Sequence, residues 1–164
     1  VPEVNVTHES LSGSDATSAP KREPVPPGLY KALVMSCPLG TTRGTPPLQK
    51  ISAEFQLLHQ VMEDEKIDDS VSGRRVYQDF ILEKDPSYPS LDSQRRYELR
   101  MLLDATGTPF TDKGFNTDHI VNKTVMITVR HRTGRTPDEH GNLPVFSNVV
   151  KIDTAEKVNE EDLV

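Results

Sequence analysis

Between residues 50 and 57 the chain alternates without a break: Lys50, Ser52, Glu54 and Gln56 are polar, while Ile51, Ala53, Phe55 and Leu57 are not. A period of two sends successive side chains to opposite faces, so residues 48–58 are expected to form a strand with one buried face. The same signal recurs at 123–132, where Val125, Ile127 and Val129 are expected inward. It returns at 74–82, where Val76, Phe80 and Leu82 share a face and Arg75 and Tyr77 take the other. Residues 29–35 follow the helix-breaking run Pro24-Val25-Pro26-Pro27-Gly28 and read as the first strand. Residues 143–152, rich in β-branched and aromatic side chains, read as the fifth.

The period changes once. Leu91, Arg95, Leu99, Leu102 and Leu103 recur at helical spacing between Ser90 and Thr106, and Gly107 supplies a stop, so one helix is predicted between strands three and four. With no repeated βα unit, a doubly wound sheet is disfavoured. Five strands are too few for a β-sandwich, which needs about seven. Five short strands with a helix after the third is the chain order of a partly open OB barrel. The expected fold is therefore mostly β: a five-stranded OB-like barrel over 29–152, a flexible Pro- and Ser-rich arm over 1–28, and an acidic tail over 153–164.

A chain of 164 residues with 34% hydrophobic and 27% charged residues, 13 Pro and 9 Gly fits one modest core plus substantial loop. Its net charge of −6 argues against an anionic partner only until it is divided along the chain. The arm holds Glu3, Glu9, Asp15 and Glu23 against Lys21 and Arg22, and the tail holds Asp153, Glu156, Glu160, Glu161 and Asp162 against Lys157. The region between is neutral, and its acids gather in Glu63-Asp64-Glu65-Lys66-Ile67-Asp68-Asp69, so the remainder of the barrel is net basic.

Enzyme signatures are missing: there is no nucleophile elbow, phosphate loop or H-E-x-x-H pair. His8, His59, His119, His131 and His140 lack ligand spacing. The carboxylates crowd where repulsion favours solvation over a tuned acid/base pair. No catalytic residue, metal or cofactor is expected. Cys37, the one cysteine, reads as a small buried hydrophobe. Asn5-Val6-Thr7 and Asn122-Lys123-Thr124 match the glycosylation sequon but lack a secretory context. The apolar runs are too short to span a membrane, so no membrane partner and a cytoplasmic-type location are expected.

What remains is a set of side chains on outward strand positions, Lys50, Arg75, Tyr77, Met126, Arg130 and Arg132, with Arg43, Arg74 and Arg135 in adjoining loops. Lys and Arg can pair with the phosphates of a single strand while unstacked bases rest on an aromatic face, a largely sequence-independent mode. Arg130 and Arg132 share one face at period two, an arrangement favoured when an anion lies over both. In the tail, Glu160, Glu161, Asp162 and Leu163 combine carboxylates with an apolar end, suited to occupying a basic groove and to contacting partner proteins when released.

The chain resembles the phage-encoded OB-fold proteins related to single-stranded DNA-binding proteins. The residues that carry the likeness are Pro27-Gly28-Leu29-Tyr30-Lys31-Ala32, Gly73-Arg74-Arg75-Val76-Tyr77, the helix end Leu102-Leu103-Asp104-Ala105-Thr106-Gly107, and Asn122-Lys123-Thr124-Val125. The resemblance spans residues 27–152 and implies coating or protection of single-stranded DNA in phage replication or recombination, in the host cytoplasm. It also implies contact with replication or recombination proteins through the tail, and it is compatible with a homo-oligomer. The sequence departs from this family in its few aromatic residues, its lack of Trp and its long N-terminal arm. A structural or adaptor protein, using arm and barrel surface for assembly, is the alternative reading.

Overall fold

A computed structural model describes residues 24–63 and 66–155. Its main sheet is antiparallel and is built from long strands: β1 (Gly28–Ser36), β3 (Gln49–Val61), β5 (Arg75–Ile81), β8 (Thr124–Thr133) and β9 (Val145–Thr154). Short strands β2 (Leu39–Thr41) and β4 (Ile67–Asp68) attach to β3, while β6 (Phe110–Thr111) and β7 (Gly114–Phe115) make a separate hairpin. The long strands lie in the order β5-β3-β1-β8-β9. All five expected strands are present, together with the single helix α1 (Asp92–Thr106) between β5 and β8.

The alternation read from sequence buries the faces it should. Ile51, Ala53, Phe55 and Leu57 are fully buried, as are Val125, Ile127 and Val129, and Val76 and Phe80 are nearly so. Helix α1 adds Leu102, Leu103 and Ala105 to the same core and packs chiefly against β9 and β5. Its end is set by Gly107 in the left-handed region at φ 66°, with the Thr108 N–H donating to the Leu103 carbonyl at 2.9 Å, a Schellman-type closure.

Two expectations need correction. Met126 was placed outward by its period, yet it is only 7% exposed, standing between Lys31 of β1 and Asp153 of β9 on the two flanking strands. The expected barrel is an open sheet, because β5 pairs with β3 and β9 with β8 while no ladder joins β5 to β9. Residues 24–27 lie at that seam. Pro24, Pro26 and Pro27 have no N–H to give a ladder, so this segment is held by side chains instead. Val25 N–H donates to Ser147 Oγ at 2.9 Å, the Val25 carbonyl meets His131 Nε2 at 2.7 Å, and the Tyr30 hydroxyl donates to the Pro26 carbonyl.

Of the arm expected over 1–28, residues 1–23 lie outside the described residues. Val25 is 2% exposed and belongs to the core, and Gly28 opens β1. The tail expected from 153 begins within β9, which runs to Thr154, and residues 156–164 lie outside the described residues.

Candidate nucleic-acid interface

A cleft of about 470 Å3 follows the seam. One wall is the edge of β5, from Arg75 through Asp79; the other is Val145, Phe146, Ser147 and Asn148 of β9 with Arg132 of β8, and Pro24 and Val25 complete it. Three of the residues expected to hold nucleic acid, Arg75, Tyr77 and Arg132, are thereby brought to one place. The sequence placed them 57 positions apart at the extremes, and only the sheet order unites them.

On the β9 side, hairpin register controls the arrangement. Arg132 stands opposite Phe146 and Arg130 opposite Asn148, so these four side chains share a face. The Arg132 guanidinium lies 5.7 Å from the centre of the Phe146 ring, which leaves a cation and an aromatic face together at the cleft. Phe146 remains 46% exposed. Gly134 lets it settle there: a Cβ on Gly134 would meet the Phe146 ring at 3.0 Å and Pro144 at 2.8 Å. The rest of the turn is organised by Asp138, whose Oδ1 accepts the N–H groups of His140 and Asn142, each at 2.9 Å.

The β5 side is a ladder of matched charges. Glu54 accepts hydrogen bonds from Ser36 Oγ at 2.9 Å, Arg75 Nη1 at 2.6 Å and the Tyr77 hydroxyl at 3.2 Å. The Ser36 hydroxyl first, then Arg75 and Tyr77, hold the Glu54 carboxyl below its ordinary range in spite of some burial. Further along, Lys50 Nζ reaches Asp79 at 2.7 Å, and Ser52 donates to the same carboxylate at 2.7 Å. Burial pushes the Asp79 carboxyl upward, and the Lys50 and Ser52 hydrogen bonds outweigh it, so the net shift is down.

The expected site residues therefore divide. Arg75 and Lys50 already face carboxylates within the sheet. Arg74 is half-buried at the entrance to β5, where its carbonyl accepts from Leu57 N–H, and it does not line the cleft. Arg130, Arg135 and Arg43 are exposed and have no carboxylate partner among the described residues; Arg43 sits in the β2–β3 loop, away from the seam. The tail residues Glu160, Glu161, Asp162 and Leu163 lie outside the described residues.

Phe146, Gln78 and Asn148 were missed by sequence reasoning. Phe146 counted only as strand content, although a hairpin closing at Thr133 and Val145 places it opposite Arg132. Among the described residues no group of three or more His, Cys, Asp or Glu side chains could hold a metal ion, and no helix is long and apolar enough to cross a membrane. Cys37 is buried, and burial pushes its thiol up to about 11, which disfavours the thiolate at neutral pH. No protein-family model matches the chain, and no curated protein matches it in sequence.

Proposed function

We propose that this protein binds single-stranded DNA along the seam between β5 and β9, as a non-catalytic binding module. The observation that carries the reading is the convergence of Tyr77, Arg132 and Phe146 on one cleft. Single strands offer phosphates to guanidinium groups and base faces to exposed rings, and such a cleft supplies both. Arg130 continues the basic surface beyond the cleft along β8. The strand order supports the reading as well: β5-β3-β1-β8-β9 with a helix between β5 and β8 is the order of an OB barrel opened between its third and fifth long strands. In this reading the protein coats or protects strands in DNA replication or recombination, and its acidic tail meets the proteins that act there.

Fluorescence anisotropy of a labelled oligo-dT, titrated at low and moderate salt beside a duplex of equal length, tests it. Salt-sensitive binding that favours the single strand is expected. Failure of both the full chain and a tail-deleted chain to bind would overturn the reading in favour of an assembly role.

A further inference from the structure

The cleft holds more than charge and rings. Gln78 lines it from β5 and Asn148 from β9; both are half-buried, and neither side chain makes a hydrogen bond with any described residue. Each primary amide carries two donors and one acceptor on a planar group. Around them other polar side chains are engaged: Ser52 and Lys50 on Asp79, Ser36, Arg75 and Tyr77 on Glu54, Ser147 on Val25. The two amides are thus unengaged hydrogen-bonding groups on opposite walls of the cleft: Asn148 shares its strand face with Phe146, which is 46% exposed, and Gln78, opposite Ala53, enters the seam from the other face of β5 to Tyr77, which is 40% exposed.

Resting on the strand-binding reading above, we propose that the cleft receives one unstacked nucleobase, with its face against an aromatic ring and its edge hydrogen-bonded by Gln78 and Asn148. Phosphate contacts alone cannot distinguish bases, and stacking accepts any of them. An amide presents a donor beside an acceptor, the pattern that base edges complement, and this is why Asn and Gln are used to read them. The volume suits the role: about 470 Å3 falls within the range of roughly 300–1,000 Å3 typical of small-ligand clefts. Binding is then sequence-tolerant over most of the strand but reads a base edge at one position.

The test compares oligo-dT with an oligonucleotide of equal length built from N3-methylthymidine, which keeps ring, sugar and phosphates but loses the donor on the Watson–Crick edge. Wild-type protein is expected to bind the methylated strand about tenfold more weakly, the scale of one good amide–base contact. The double variant Gln78→Leu/Asn148→Leu replaces both amides with branched apolar side chains and removes their hydrogen-bonding groups. It should bind the two strands within about threefold of each other, with the wild-type salt dependence retained because the phosphate contacts are untouched. Equal wild-type binding of both strands would overturn the proposal while leaving strand binding in place, and this comparison needs no variant to fold. An undiminished preference in the double variant would also overturn it, by showing that the methyl group is excluded on size. Binding of neither strand by wild type would remove the parent reading itself.

Discussion

If phosphates are held at the seam, the cations that matter are those not already matched by carboxylates, and this separates variants that sequence alone would treat alike. Arg130 and Arg132 have no carboxylate partner among the described residues, whereas Lys50 has Asp79 at 2.7 Å. Replacing Arg130 and Arg132 together with Ala removes two phosphate contacts, which on a single strand lowers the log–log salt slope by about 1.4 at about 0.7 per contact. Between 50 and 200 mM salt that change amounts to roughly a sevenfold smaller loss of affinity for the variant than for wild type. Lys50→Ala should leave the slope close to wild type, because the cation it deletes is already neutralised by Asp79. The assay is oligo-dT anisotropy at four or more salt concentrations, with circular dichroism to confirm that each variant is folded. Equal slope changes for Lys50→Ala and the double variant would refute the reasoning, since pairing within the sheet would then not decide which cations reach DNA. An unchanged slope in the double variant would remove Arg130 and Arg132 from the site.

Three further outcomes follow from the geometry. Val25→Ala deletes two buried methyl groups where the proline segment enters the core and should cost roughly 2 kcal/mol in urea unfolding, while leaving the far end of the sheet unchanged. Cys37, buried and with its thiol pushed up to about 11, should react with a disulfide reagent at pH 8 only on unfolding; rapid labelling of the native protein would contradict its burial. Glu54 and Asp79 have carboxyls held below their unfolded values of 4.5 and 3.8, so the stability they contribute is present above those values and is lost as pH falls through the lower folded ones. Glu54→Gln should therefore lower stability by about 1 kcal/mol at pH 7, and the gap from wild type should narrow as pH falls from 4.5 through the lower folded value.

Three of the long strands were legible because each carries its own period, while the first was marked by the prolines before it and the last by its β-branched and aromatic content. Ile51 to Leu57 and Val125 to Val129 alternate over enough residues for one face to be unmistakable, and Gly107 marks the helix end through a backbone conformation that glycine favours. The short strands β2, β4, β6 and β7 were not, because two or three residues cannot display a period, and they form only where a longer neighbour or a tight turn presents an edge. Met126 shows the limit of local alternation: period assigns its face, but whether that face meets water is decided by its neighbours in the folded sheet. Val25 shows the same limit from the other side. Between prolines it reads as arm, and it is buried because Ser147 and His131, more than a hundred residues away, hold its backbone.

Charge was over-read for a related reason. An outward Lys or Arg announces itself in sequence, while the carboxylate that answers it lies on a neighbouring strand and is visible only once register is known. Glu54 and Asp79 appeared merely as polar members of an alternation, yet register places Glu54 opposite Tyr77 and Asp79 opposite Ser52, from where they engage Arg75 and Lys50. The same register that withdraws those two cations brings Phe146 opposite Arg132 and Asn148 opposite Arg130. The open seam then sets Arg132, Phe146 and Asn148 against the exposed edge of β5. A sheet closed by a β5–β9 ladder would bring the two edges to strand spacing, about 4.8 Å, and fill the cleft with backbone hydrogen bonds. With the proline segment at the seam and no such ladder, Gln78, Tyr77 and Phe146 line the cleft. The helix-breaking run before β1 thus does more than mark where the arm ends: its Pro24 and Val25 line the cleft at the open seam.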